Sequence, residues 1–241
     1  MKTFIALLIL MVVRLHAETG DARFTKGTAA YASGDFAEAV DQFRRLGEEG
    51  SVSAAALHNL GNAEWKVSRP GYAVLAWERA RALDPFNVNT AANLRFARSK
   101  AHIEAPTQSW HELYSTWLPT TAWLVAASLA LWGGVILLTG PRLLGWRRAD
   151  WHQGVAALLI AIFLLTLPAL LGISRRAQLG VVLEDETPLR LTPTREAETL
   201  VKLTGGEVAR VENERGDYLY VRADGDRAGW VLRKDFVRVW Q

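Results

Sequence analysis

The sequence contains no cysteine. A disulfide framework is therefore excluded, and so is any zinc or iron–sulfur site that is built on thiolate ligands. A basic stripe is also lacking, although the pI is 9.3. The formal net charge is only +3, and neither residues 18–113 nor residues 175–241 carry a net positive charge. Because nucleic-acid binding needs clustered cations, we expect no nucleic-acid partner.

The chain also lacks a combination of side chains that fits a catalytic mechanism. Its five histidines are dispersed along the sequence. His102 stands near Glu104 and His111 stands beside Glu112, but neither pair has a third partner nearby. No glycine-rich phosphate loop occurs. A nucleophile with a base, or a metal with its ligands, is the minimum for hydrolysis. We therefore predict that the protein is not an enzyme and holds no cofactor or metal.

The apolar residues are concentrated in three runs rather than spread evenly. The first run, residues 3–13, follows Lys2 and precedes a small residue, Ala17. A charged start, a short apolar core and a small residue are typical of an export signal, which we assign to residues 1–17. The run is too short to span a bilayer as a helix. An uncleaved anchor or an ordinary buried helix stays open as the alternative.

The two central runs are long enough to cross a membrane. Residues 120–140 and 153–174 contain no Asp, Glu, Lys or Arg, and about 20 apolar residues suffice for a membrane helix. The absence of ionisable residues within both runs argues against a transporter or a pump. Gly133 and Gly134 favour close approach of the two helices. Aromatic residues typical of membrane interfaces flank the runs: Trp110, Trp117, Trp123, Trp146 and Trp151.

Two signals predict the orientation in the membrane. The loop 141–152 carries Arg142, Arg147 and Arg148, as a cytoplasmic loop should. Arg175 and Arg176, on the other side of the second run, argue weakly for the opposite orientation. Together with the export signal, the loop predicts a two-pass protein of the bacterial inner membrane. Both soluble segments would lie on the periplasmic face.

The segment 18–105 contains an internal repeat with an offset of 34 residues. Apolar positions within each unit follow helical spacing. Gly34-Asp35 and Asp84-Pro85 mark helix boundaries, since Gly and Pro interrupt helices. The recurring pairs are Gly27 and Gly61, Tyr31 and Trp65, Ala39 and Ala73, Phe43 and Trp77, and Leu46 and Ala80.

This segment resembles tetratricopeptide repeats, on Leu60-Gly61, Ala73, Trp77, Ala80 and Pro85 of the second unit. The resemblance implies a helical stack that binds peptides or proteins on its concave surface. A third, partial helix at 90–101 would close the stack. The alternative is a solvated face combined with packing between repeats. The residues predicted to bind a partner protein are Tyr31, His58, Asn62, Trp65 and Lys66.

The segment 178–241 changes to short β-rich runs that are separated by turn signals. Five strands are predicted, in a closed or nearly closed barrel, with residues 188–191 in an early loop. The predicted strands are 180–183, 199–203, 208–212, 218–222 and 229–232, and the predicted large core or rim residues are Tyr218, Val221 and Trp230.

This second segment resembles the bacterial SH3-like domain. The resemblance is carried by Val181-Val182, Gly216-Asp217-Tyr218 and Gly229-Trp230-Val231. It implies binding of peptidoglycan or peptides.

The order of these parts resembles the Bat E-type proteins of the Bacteroides aerotolerance set. The resemblance implies a membrane-anchored adaptor or scaffold that works beside von Willebrand factor A-type membrane proteins and a MoxR-type ATPase. A cell-wall (peptidoglycan) tether, or an accessory factor for a wall enzyme, is the alternative. The predicted fold is a multidomain α + β membrane protein. Its parts are a signal peptide (1–17), a repeat domain (18–105), a linker (106–119), membrane helices (120–140 and 153–174) joined by a cytoplasmic loop (141–152), and an SH3-like domain (178–241).

Overall fold

A computed structural model describes residues 20–50, 52–103, 106–143, 145 and 150–240. The predicted export signal lies outside the described residues, and so do Trp146, Arg147 and Arg148 of the predicted cytoplasmic loop. The chain divides into two compact units. One combines Met1–Pro106 with Leu179–Gln241, and the other is Thr107–Gln178.

The described residues in the first part of the larger unit form five helices. Side chains at the start of three of them cap the free backbone N–H groups, as helix N-termini require. Asp35 accepts a hydrogen bond from the backbone of Glu38, and Ser53 and Asn87 make the equivalent bonds for the third and fifth helices. The boundaries predicted at Gly34-Asp35 and Asp84-Pro85 are confirmed. The helices are α1 (20–33), α2 (Phe36–Glu48), α3 (Ala54–Lys66), α4 (Pro70–Leu83) and α5 (Val88–Ala101).

The second part of this unit is a seven-stranded antiparallel sheet. Its order is β3-β2-β6-β5-β4-β1-β7, so β3 and β7 form its two edges and the sheet is not closed. The strands are β1 (Leu179–Val182), β2 (Thr187–Arg190), β3 (Thr199–Leu203), β4 (Val208–Arg215), β5 (Tyr218–Arg222), β6 (Ala228–Leu232) and β7 (Phe236–Arg238).

The five strands predicted from the sequence are present, but two others were missed. Residues 188–191 were assigned to a loop, and this was wrong, because Pro188-Leu189-Arg190 belong to β2. A proline lowers the strand signal, since it cannot donate to a neighbouring strand. The other missed strand, β7, has only three residues and follows a short 3₁₀ turn at Arg233–Asp235.

The helices and the sheet share one hydrophobic core. Ala73 of α4 and Val181 of β1 are both fully buried in it. Arg79 ties α4 to the end of the chain, because its guanidinium donates to the backbone carbonyls of Val239 at 3.0 Å and Arg238 at 3.1 Å. Burial lowers the pKa of Arg79. The members of this core are Ala73, Val74, Leu75, Trp77, Leu94, Ala97, Val181, Leu183, Val208 and Val239.

The described residues of the smaller unit form three helices, α6 (Trp110–Ser115), α7 (Thr120–Leu143) and α8 (Asp150–Arg176). Two stretches of the described chain, Thr120–Pro141 and Trp151–Arg176, are long and apolar enough to cross a membrane. A Cβ at Gly134 would lie 3.0 Å from Cδ1 of Ile160, which confirms the predicted close approach of the two helices.

Aromatic side chains of this unit have two kinds of environment. Trp110 and Trp117 are exposed, as expected of interface residues. Trp123 is not, because it is buried and its indole N–H donates to the carbonyl of Ser115 at 3.1 Å. The Tyr114 hydroxyl donates to the carbonyl of Leu165 at 3.1 Å, three residues before Pro168 inside α8. Proline disturbs the helix hydrogen bonds of the preceding turn, and a neighbouring side chain can replace them.

Candidate functional site

A glycine–aromatic contact that occurs twice positions the first four helices. Gly27 of α1 lies under Phe43 of α2, and a Cβ there would be 2.8 Å from the ring. Gly61 of α3 lies under Trp77 of α4 in the same way, with 2.8 Å to Cε2 of the indole. Both pairs are 16 residues apart, and the two glycines are 34 residues apart. Only glycine leaves room for an aromatic ring at this contact. The same kind of contact therefore sets the distance between α1 and α2 and the distance between α3 and α4.

The predicted binding residues of α3 fall into this inner packing. His58 is half-buried, and its Nδ1 lies 2.8 Å from the Thr90 hydroxyl. The Asn62 side-chain oxygen accepts hydrogen bonds from Asn93 at 2.7 Å and from the Trp77 indole at 3.2 Å. Burial lowers the pKa of His58 below its ordinary value of 6.5. The structure therefore brings His58 and Asn62 together as a polar link from α3 to α4 and α5. Their role in partner binding stays a prediction.

Of the other three predicted residues, Lys66 is exposed, whereas Tyr31 and Trp65 are half-buried like His58 and Asn62. Tyr31 packs edge-on against Phe36 with ring centroids 5.2 Å apart, and the Lys66 ammonium lies 5.7 Å from the centroid of the same Phe36 ring. Trp65 packs against Phe96 of α5 at 5.5 Å. Lys66 and Phe96 are exposed, while Tyr31, Trp65 and Phe36 are half-buried. We call these five residues the aromatic face of the helices. Phe36 and Phe96 are not among the binding residues predicted from the sequence, because helical periodicity alone does not separate surface aromatic residues from core residues.

A second concave feature lies between the helices and the end of the chain. It is an apolar groove of about 500 Å³. Leu57 and Leu60 of α3 line it together with Leu83 of α4 and with Trp240, which follows β7. Part of its wall comes from residues more than 150 positions apart in the sequence, so no local pattern predicts it.

The sheet presents an aromatic pair on the face opposite its core. Leu219, Val221 and Val231 point into the core of the sheet. Side chains alternate along a strand, so Tyr220 and Trp230 lie on the other face. They are paired across β5 and β6, and their rings meet edge-on at 5.3 Å. Of the three residues predicted for the core or rim, Val221 and Tyr218 are buried, whereas Trp230 is half-buried and lies outside the core.

Within the part of the chain that the structure describes, no group of three or more His, Cys, Asp or Glu residues could hold a metal ion. No protein-family model matches the chain, and no curated protein matches it.

Proposed function

We propose that this protein is a membrane-anchored adaptor that holds partner proteins at the periplasmic face of a bacterial inner membrane. In this proposal, α1–α5 act as a tetratricopeptide-type stack, the sheet acts as an SH3-like module, and α7 and α8 are the anchor. The partners are von Willebrand factor A-type membrane proteins and a MoxR-type ATPase system, in a complex of the Bat (aerotolerance) type. The protein itself carries out no catalysis.

The observation that carries this proposal is the core shared by the helices and the sheet. Ala73 and Val181 belong to sequence segments that are separated by both apolar helices, yet they are buried in the same cluster. A continuous hydrophobic core cannot form through a bilayer. In the proposed topology both segments therefore lie on one side of the membrane, and two spans return the chain to that side. This supports a two-pass anchor that carries one combined binding body.

The aromatic face gives this body a surface suited to protein partners. Aromatic residues are enriched at the energetically important positions of protein interfaces. Phe96 is 54% exposed although it is a large apolar side chain. Lys66 adds a cation beside the Phe36 ring, which suits a partner with an acidic or polar rim.

A site-specific crosslinking experiment tests the adaptor function. A photoreactive amino acid is placed at Lys66 or Phe96 in the full chain, in cells that also contain a tagged von Willebrand factor A-type protein of the Bat set. We expect crosslinks to that protein from both positions. The matched control is Arg45, an exposed cation of α2 whose guanidinium pairs with Asp41 of its own helix. Equal crosslinking from Arg45, or none from Lys66 and Phe96, would contradict the proposal.

One observation favours the second candidate function, a peptidoglycan tether. Tyr220 and Trp230 lie outside the core, where their rings offer a stacking surface. The full chain in detergent should sediment with peptidoglycan sacculi if it is a tether, and the variant Tyr220→Ala should then stay in solution with an unchanged melting curve. The adaptor function predicts no sedimentation of either protein.

A further inference from the structure

A basic groove opens on the sheet and shares no lining residue with the aromatic face of the helices. Its volume is about 690 Å³, within the range of ligand pockets. The residues that line it are Arg190, Arg195, Asp217, Leu232, Arg233 and Lys234. Four are cations and one is a carboxylate. Glu196 and Glu198 belong to the same loop as Arg195 but do not line the groove.

Arg190 is held in place without being neutralised. Its Nη1 donates to the backbone carbonyls of Arg195 at 2.9 Å and Ala197 at 3.1 Å. In the described chain no carboxylate pairs with Arg190, and its Nε–H and Nη2–H groups have no partner. Backbone carbonyls carry no net charge, so a guanidinium that they hold in place keeps its full positive charge. Its other N–H groups can then donate to a different acceptor. Such an arrangement is suited to a carboxylate supplied from outside.

The other cations of the groove differ in how far they are already paired. Among the described residues, Arg195 has no carboxylate partner. Lys234 lies 3.7 Å from Asp235, a long and exposed pair. Arg233 is bound to Glu214 at 2.7 Å, and Glu214 also pairs with Arg238. Positive charge is therefore least compensated at Arg190, Arg195 and Lys234.

Apolar and aromatic groups continue this surface next to the cations. Arg190 stands directly opposite Trp230 in the register of β2 and β6. Trp230 in turn contacts Tyr220. Leu232, which lines the groove, is paired with Tyr218, whose hydroxyl is buried and has no hydrogen-bond partner among the described residues. The surface thus combines cations at one end with rings at the other.

We propose that this groove binds an extended acidic peptide segment of a partner protein. Its carboxylates would pair with Arg190, Arg195 and Lys234, and the apolar side chains in the next part of the same segment would pack on Trp230 and Tyr220. Every second side chain of an extended peptide points to the same side, so the residues that face the sheet would be acidic along the cations and apolar along the rings. A neutral glycan would leave the cations unpaired. The occupant is again a partner protein, so this proposal rests on the adaptor function. The groove residues differ from those of the aromatic face, so the crosslinking experiment and the peptide-binding experiment can fail independently.

Peptide binding to the full chain tests this proposal directly. The protein is reconstituted in nanodiscs of neutral phosphatidylcholine, because the sheet shares its core with the helices. The probe is a fluorescein-labelled decapeptide with Glu at positions 1, 3 and 5, Leu at positions 7 and 9 and Gly elsewhere, so that its Glu and Leu side chains point to the same side. The matched probe has Gln in place of every Glu. We expect saturable binding of the Glu peptide by fluorescence anisotropy, weakened by added salt because exposed charges are screened. The Gln peptide should bind at least about tenfold more weakly, since each charge-assisted hydrogen bond lost accounts for roughly that factor.

Substitutions of the groove cations test whether the peptide binds in the groove. Arg190→Gln should raise the Kd about tenfold through loss of a charge-assisted contact. The double variant Arg195→Gln with Lys234→Gln should also raise the Kd about tenfold. It keeps the contacts of Arg190 with the backbone carbonyls intact. The matched control is Lys202→Gln, an exposed cation of β3 outside the groove, which should leave the Kd unchanged. Equal losses in the control and the groove variants would overturn the proposal.

Three further outcomes would overturn it as well. They are equal affinity for the Glu and Gln peptides, groove-dependent binding to phosphatidylglycerol vesicles with none to the peptide, and groove-dependent binding to peptidoglycan sacculi with none to the peptide.

Discussion

Gly71 of α4 lies directly against the backbone carbonyl of Leu183 at the end of β1. A Cβ at this position would lie well inside van der Waals distance of that oxygen and 2.6 Å from the carbonyl oxygen of Val182. Backbone atoms cannot move aside as a flexible side chain can. The contact therefore makes glycine necessary where the helices join the sheet.

The variant Gly71→Ala should destabilise the protein by about 1–3 kcal/mol, the usual cost of overpacking. Thermal unfolding of the full chain in detergent measures the effect. Gly47→Ala in α2 is the matched control, since a Cβ there meets nothing within 4 Å. It should leave the melting temperature unchanged or raise it, because alanine is the better helix former. Equal melting temperatures for the two variants would contradict the close contact.

The contact between Gly61 and Trp77 predicts that substitutions at these two positions partly compensate for each other. Gly61→Ala should destabilise the chain because the new methyl group meets the indole ring. Trp77→Leu alone should also destabilise it, by leaving a cavity in the shared core. The double variant should be more stable than the sum of the two losses predicts, since the smaller leucine makes room for the methyl group. Strict additivity in the melting temperatures would argue against the contact.

The buried ion pair between α4 and α5 should contribute strongly to stability. Glu78 is buried and pairs with both Arg81 and Arg98, and burial lowers the pKa of Arg98. Glu78→Gln removes the carboxylate that Arg98 contacts and leaves Asp224 as a negative charge that still acts on this buried cation. We expect a loss of about 3 kcal/mol, at the lower end of the usual cost of breaking a buried ion pair. Glu186→Gln breaks the exposed pair with Lys202 and is the control, with little expected effect. Chemical denaturation measures the free energy of unfolding of both variants. An equally small decrease for Glu78→Gln and Glu186→Gln would refute the prediction.

Stability should fall in mildly acidic solution because of His58. Its pKa is lowered in the folded state by burial, so below pH 6.5 the unfolded chain takes up this proton more readily. The stabilising contribution of neutral His58 is therefore present above pH 6.5 and is lost as the pH falls through the lowered folded-state pKa. Melting temperatures between neutral and acidic pH should decrease less in His58→Gln than in the original chain. His102→Gln, at an exposed position, should behave as the original chain does. Parallel pH curves for all three proteins would disprove the role of His58.

The shared core also predicts the membrane topology. Reporter fusions after Ala105 and Gln241 should both show alkaline phosphatase activity, because the segments that pack together must be on the same side. A fusion at Gly145 should be inactive if the loop is cytoplasmic. Activity at only one of the two outer positions would show that the shared core does not form in the membrane-bound protein.

Much of the secondary structure can be read from local patterns. Apolar spacing and the signals at Asp35 and Pro85 were enough to predict α2 to α4, and charge-free length was enough for α7 and α8. Three of the predicted binding residues, Tyr31, Trp65 and Lys66, lie on the aromatic face. The basic groove was not predicted, because Arg190, Arg195 and Lys234 come from two distant parts of the sheet and show no pattern in the sequence.

Sequence by itself determined which segments are helical, which are β-rich and which are apolar enough for a membrane. Only the tertiary structure decided that the first and last segments share a core, that the sheet stays open, and that Trp230 lies outside its core. The physical reason is the range of the interactions. Helix caps and apolar periodicity act between residues a few positions apart, whereas the contact of Gly71 with Leu183 depends on how two surfaces more than 100 residues apart fit together.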